Sequence, residues 1–439
     1  MNLLIKNGRV IDPSRDFDRE CDLLIEGGFV AACDEGLAAP DGCDVYDARG
    51  RWVIPGAVDL SVHLSEPKRA DRETVASLSR AAAAGGVTTA TCRPGPDLPL
   101  DNITLTEFLQ SKNRREGLVR LRPAAALTRD LAGETLTDVG DLVTGGAVAI
   151  GDDRPLMNSQ VMRRGLEYAR GFGVPVVSFP QDQSLAAGGV MNEGFVSTSL
   201  GLKGIPWSAE EVMVIRDVIL ARMTRWRVHI SPVTVAGAVE LIRRAKADGI
   251  RVSCDTAPQY FRLTERAVEG YNTFAKVSPP LRSERDVQAV REGLADGTID
   301  AVASHHVPLS VVDKDVEFND AAFGISSLET FVPLSYSALV VEEGMTAVDF
   351  VRLVSAGPAR VFGLPAGTLE PGAPADVVVL DVERRDVVKA AAFHSRGKNT
   401  PFEGGEAAGW PVLTVVGGHV VMRDRRVTTP PNPALAADG

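Results

Sequence analysis

The sequence has no apolar run long enough to cross a bilayer, no lysine- or arginine-rich block and no CxxC pair. Each absence closes a class of function. Without a span of about 20 apolar residues no transmembrane helix is expected. A formal net charge of -11 repels phosphate backbones and anionic lipid, so neither nucleic acid nor a membrane is expected as a partner. The opening stretch MNLLIKNGRVIDPSRD turns polar after a few residues, which is not the pattern of a secretory signal; the expected compartment is the cytoplasm. Cys21, Cys33, Cys43, Cys92 and Cys254 are odd in number and scattered, which fits reduced thiols rather than a disulfide framework or a zinc knuckle.

No glycine-rich phosphate loop follows any candidate strand, which argues against an open doubly wound nucleotide-binding sheet. What is present is a long alternation of strand and helix. Apolar strand-like segments fall at 57–60, 87–92, 121–126, 147–151, 174–178, 227–231, 252–255 and 299–304. Between many of them lie stretches with apolar residues at three- and four-residue spacing, as at 159–171, 208–222, 235–248 and 284–295. Parallel strands need helical crossovers, and eight such units can close on themselves. The expected fold is therefore α/β, a (β/α)8 TIM-type barrel over residues 55–365.

Both chain ends have another texture. Alternating apolar residues flank Asn7-Gly8 and Gly27-Gly28, and the same pattern returns at 375–381 and 412–421. A small β-sandwich domain assembled from residues 1–54 and 366–439 is expected, with a loose tail from Thr428 to Gly439.

In a barrel of this kind, chemistry sits at the carboxyl-terminal ends of the strands. The first strand runs into Pro55-Gly-Ala-Val-Asp59-Leu-Ser61-Val-His63-Leu-Ser65-Glu66-Pro67. This resembles the PG-x-x-D-x-H-x-H-L-R-E-P signature of the dihydroorotase branch of the cyclic amidohydrolases, with serine at 61 and 65 in place of a histidine and the arginine. Further matches are Ala81-Ala-Ala-Ala-Gly-Gly-Val-Thr-Thr, Asp152-Asp153-Arg-Pro-Leu-Met-Asn-Ser, Ser184-Leu-Ala-Ala-Gly-Gly-Val-Met-Asn-Glu-Gly, Pro279-Pro-Leu-Arg-Ser-Glu, Gly324-Ile-Ser-Ser-Leu-Glu-Thr and Asn399-Thr-Pro-Phe. The resemblance spans nearly the whole chain.

It implies a hydrolase that uses one or two divalent metals to lower the pKa of a bound water and to polarise the ring carbonyl. Carried across residue by residue, the family's ligand positions fall on Ser61, His63, Asp153 or its neighbour Asp152, Phe179, His229 and His305. Serine is a poor zinc ligand and phenylalanine none, so a two-metal centre is not expected. His305 stands where the family has the aspartate that shuttles the proton. The substrate-binding positions fall on Ser65, Gly95 and Leu309, which offer no side-chain cation or donor suited to a carboxylate.

These degenerate positions, Ser61, Ser65, Gly95, Phe179, His305 and Leu309, lead to the expectation of no catalysis and no cofactor. His63, Asp153, His229 and His305 could still close on a single zinc, or could stand as hydrogen-bonded remnants; the residue types admit both. The resemblance also extends to degenerate dihydroorotase-like chains that serve as non-catalytic parts of bacterial aspartate transcarbamoylase. The leading expectation is such an assembly subunit in pyrimidine synthesis, an oligomer whose partner is the transcarbamoylase catalytic chain. The alternative is a metal-dependent cyclic amide hydrolase with a reduced, single-metal site.

Overall fold

The computed structural model describes residues 2–429 and 431–437. Eight parallel strands follow one another around a sheet in chain order: Ala57–His63, Val87–Arg93, Arg120–Ala125, Ala149–Ile150, Val176–Ser178, Val228–Ile230, Val252–Thr256 and Ala301–Val302. The last meets the first through a parallel bridge between Val62 and His306. There His63 N–H donates to His306 O at 2.9 Å and His306 N–H donates to Ser61 O at 3.1 Å. The α/β barrel expected from the sequence is thus present, nearly closed.

Helices lie between strands where the apolar spacing places them, and local chemistry sets their starts. Ser159–Gly171 opens on Asn158, whose side chain accepts the N–H groups of Gln160 and Val161. Glu284–Ala295 opens on the reciprocal Ser283 and Asp286 pair. The eighth strand is shorter than the 299–304 segment suggested. Beyond Val302 the chain turns away from strand geometry, and His305 adopts a left-handed backbone with φ 48°.

Segments from the two chain ends are hydrogen-bonded into one nine-stranded sheet. The strand Trp52–Pro55, just before the barrel, is sandwiched between Leu3–Asp12 and Val377–Val387. Its core is aliphatic, with Leu3, Ile5, Leu23, Ile25, Val377 and Val415 buried. The sheet is fastened to the barrel by an aromatic cluster: Trp52 meets Tyr336 edge-on with ring centroids 5.4 Å apart, and Tyr336 meets Phe350 at 5.6 Å. Where the chain passes from sheet to barrel, Gly56 lies so close to Thr88 that a β-carbon would sit 2.1 Å from its hydroxyl oxygen.

The expectation of a loose tail from Thr428 to Gly439 is corrected for its described part. Asn432 is buried and donates from its side chain to Leu118 O and Val416 O, and Leu435 is buried against the barrel core. These two hydrogen bonds to backbone carbonyls hold the segment down. Pro430, Asp438 and Gly439 lie outside the described residues.

Candidate active site at the barrel mouth

A cavity of about 220 Å³ opens at the carboxyl-terminal ends of the strands, walled by Ser61, His63, Arg93, Asp153, Phe179 and His305 together with Gln181, Gln259 and Tyr260. Its inner wall is built by hydrogen bonds between neighbouring strand ends. Asp59 is buried, and one carboxylate oxygen accepts the N–H groups of Ser61 at 3.1 Å and Ser304 at 3.0 Å. That clasp sets the first and eighth strand ends side by side and brings the Ser61 Oγ within 3.4 Å of His305 Nδ1. Burial pushes the Asp59 carboxyl above the usual carboxylate range.

Asp255, at the end of the seventh strand, is the hub of the site. Its Oδ1 meets His305 Nε2 at 2.9 Å and its Oδ2 meets His229 Nε2 at 3.0 Å, while the Ser231 hydroxyl donates to Oδ2 at 2.9 Å. Burial alone would raise this carboxyl, but the two imidazoles outweigh it and hold Asp255 below the ordinary carboxylate range. The sequence reading passed over Asp255. The available signal was its place, an ionisable side chain at the end of a barrel strand.

Of the four residues considered for a single zinc, the structure makes two separate groups. His63 Nε2 faces Asp153 Oδ1 at 3.4 Å on one side of the cavity, and His229 and His305 both turn to Asp255 on the other. Among the described residues no three His, Cys, Asp or Glu side chains converge as a metal cage. Phe179 lines the cavity and offers no donor atom, and His229 Nε2 is engaged with a carboxylate. The donors as arranged do not fit a resident metal, and no chemical step is routed through one.

Asp152 turns away from the cavity, accepting Leu127 N–H at 2.8 Å and Thr128 N–H at 2.9 Å. Ser65 is buried, with its carbonyl accepting Arg69 N–H. Gly95 lies beside His63, where an added β-carbon would sit 3.4 Å from Nδ1. Leu309 is buried and lines a different hollow, with Thr273, Val311, Lys314 and Asn399. His306 points away from the cavity: its Nδ1 accepts Ser327 N–H at 3.1 Å and its Nε2 faces Glu73 at 3.3 Å.

Arg93, at the end of the second strand, supplies a cation to the cavity wall. Arg93 is 3% exposed, its guanidinium donates to Ser231 Oγ at 3.3 Å, and its Nε has no hydrogen-bond partner among the described residues. Burial lowers its pKa, opposed by Asp153, Asp255 and Asp152. The carboxamide oxygens of Gln181 and Gln259 are likewise buried without partners. Unsatisfied polar groups on residues that line one hollow are what a polar ligand could complete.

Residues 50–236 match the dihydro-orotase-like family and residues 204–421 the amidohydrolase family. A dihydroorotase of Pelobacter propionicus is 49% identical over 424 residues, covering 96% of this chain and 100% of that protein. Dihydroorotases of Pelotomaculum thermopropionicum and Geobacter sulfurreducens are 49% and 48% identical, covering 97% and 96% of this chain and 99% of each relative. Among solved structures, the L-hydantoinase of Arthrobacter aurescens superposes with a TM-score of 0.87 at 26% identity, with 97% of each chain covered. The D-hydantoinase of a Thermus species gives 0.84 at 26% identity, with 98% of this chain and 97% of that one covered.

These relatives overturn the leading expectation from sequence. Chains that match end to end at this identity carry the name of an enzyme, so the reading of a non-catalytic subunit of a transcarbamoylase assembly is corrected, and with it the expectation that the chain is no enzyme. That reading counted the ligands lost at the mouth. It weighed His63, Asp153, His229 and His305 as remnants or a single zinc site but passed over Asp255, on which His229 and His305 meet. Among the described residues no helix is long and apolar enough to cross a membrane.

Proposed function

Since the chain belongs to the dihydroorotase family of the amidohydrolases, we propose that it hydrolyses the C–N bond of a small cyclic amide, dihydroorotate or a hydantoin-like ring. The observation that carries this reading is the composition of the cavity that Ser61 and His305 line. A ring amide presents an N–H donor and a C=O acceptor on adjacent atoms, and the carboxamide oxygens of Gln181 and Gln259, without partners among the described residues, are acceptors suited to the N–H. The buried Arg93 guanidinium attracts an anionic substituent or the negative charge that develops on the carbonyl oxygen. A cavity of about 220 Å³ suits a single small ring.

The chain's own residues divide the work. His305 has one imidazole nitrogen on Asp255 and the other turned to Ser61 in the cavity, a position from which it takes or returns a proton at the reacting atoms. Phe179 and Tyr260 in the walls exclude bulk water and strengthen each charge interaction inside.

The test is an assay of the purified chain with dihydroorotate and with hydantoin, each with added zinc and again in chelator, following the ring-opened carbamoyl product. Turnover of either ring is expected. If neither ring opens in either condition, the proposal fails.

A further inference from the structure

The geometry points to Ser61, His305 and Asp255 as a serine–histidine–carboxylate relay that opens the substrate by acyl transfer to Ser61 without a metal. It rests on the ring-opening reading for its natural substrate, and it explains why the donors at this barrel mouth do not gather into a metal cage.

The three groups stand in the order such a relay needs. Ser61 Oγ lies 3.4 Å from His305 Nδ1, and His305 Nε2 lies 2.9 Å from Asp255 Oδ1. The carboxylate accepts from Nε2, which leaves Nδ1 as the acceptor facing the serine hydroxyl. The serine contact is long, as nucleophile–base contacts often are before substrate binds. Ser61 and His305 both line the cavity, and Asp255 lies behind them with no exposed surface.

Each member is held by the surrounding fold. Ser61 is fixed through its N–H on Asp59 and its carbonyl on His306 N–H. Asp255 is oriented by His229 and Ser231 on its other oxygen, which makes His229 a positioning residue. His305 sits in the left-handed backbone region, which non-glycine residues rarely adopt without support from the surrounding fold. The bonds of Ser304 to Asp59 and of His306 to Ser61 and His63 hold it there. Arg93 lies in the same wall as the cation for the oxyanion.

The chemistry balances with water as the only co-substrate. Ser61 Oγ bonds to the ring carbonyl carbon while its proton passes to His305 Nδ1. The C–N bond then breaks, and His305 gives that proton to the leaving nitrogen. Water adds to the resulting Ser61 ester and passes a proton to His305. The ester C–O bond breaks and Ser61 Oγ recovers the proton, so one water has been added across the C–N bond.

The test treats the full chain in EDTA with p-nitrophenyl acetate, a small activated acyl donor, and separately with dihydroorotate and hydantoin. An acetyl group mapped to Ser61 by peptide mass and ring opening that survives chelation are expected. Ser61→Ala should abolish the adduct and lower chelator-resistant turnover by about 100-fold or more. Ser61→Cys should still be acetylated, now as a thioester, and lose this after alkylation. Thermal midpoints are compared, and if the alanine variant does not fold, the cysteine variant decides. Absence of acetyl at Ser61, or turnover of Ser61→Ala within about twofold of the parent, overturns the relay. If a ring opens only with zinc and Ser61 stays unacylated, the ring-opening function stands and the relay falls. If Ser61 is acylated and neither ring opens, the relay stands and the ring-opening function falls.

Discussion

Asp255 Oδ1 lies 2.9 Å from Nε2 of His305, joining the ends of the seventh and eighth barrel strands through one carboxylate. Both groups are ligand-type side chains spent on each other. Replacing Asp255 by Asn keeps the shape but removes the acceptor charge that fixes the imidazole. Turnover should fall by about 100-fold or more while the KM for the ring changes little, because the imidazole is lost as a proton carrier and the binding groups are untouched. Steady-state kinetics with dihydroorotate and hydantoin check this.

Arg93 should discriminate between substrates by charge. Arg93→Met removes a buried cation from the cavity wall but keeps most of the side chain's volume. The KM for the anionic dihydroorotate should rise about tenfold or more, the worth of a charge-assisted hydrogen bond, with a smaller change for neutral hydantoin. Equal losses on both rings would assign Arg93 to the transition state rather than to the substituent.

Away from the mouth, Glu210 and Arg282 form a buried pair at 3.6 Å, and Glu210 also accepts Thr234 N–H at 2.7 Å. Arg282→Met strands that carboxylate and should destabilise the fold by about 3 to 5 kcal/mol. Adding Glu210→Gln should recover part of the loss, because no charge is then left buried. Urea denaturation of the parent, the single and the double variant measures the coupling.

Glu329 makes stability depend on pH. Burial pushes its carboxyl up to about 8, against the opposing pull of the Ser395 and His394 N–H groups and of Lys398. A native carboxyl that titrates later than the unfolded one binds more protons between the two values, so the stability it contributes is complete below about 4.5, the value of an unperturbed glutamate, and is lost as pH rises towards about 8. Glu329→Gln should flatten the dependence of the thermal midpoint on pH across that window and raise the midpoint at its alkaline end. Midpoints measured from pH 5 to about pH 8.5 in the parent and the variant check the sign.

The barrel was legible because its information is local and repeated. The helices at 159–171 and 284–295 coincide with their apolar periods, since Asn158 and Ser283 start them and the amphipathic face continues them. The eighth strand was misjudged because 299–304 is apolar enough for a strand, while its end is bent by contacts to Asp59 and Ser61 on a strand far away in sequence. The tail was misjudged for a related reason. Proline and alanine say little, and Asn432 is held by Leu118 and Val416, which only the folded chain brings near.

At the site, the sequence alone determined which side chains stand at the barrel mouth: serine at 61, phenylalanine at 179, histidine at 305. It also determined the kinship, since motifs persist in order along the chain. Only the tertiary structure decided what the remaining side chains do with one another. Hydrogen bonds between strand ends depend on distances of a few tenths of an ångström and on which nitrogen faces which oxygen. Those distances are set where neighbouring strand ends meet, and there Asp255 engages Nε2 of both His305 and His229 while Ser61 faces the other nitrogen of His305.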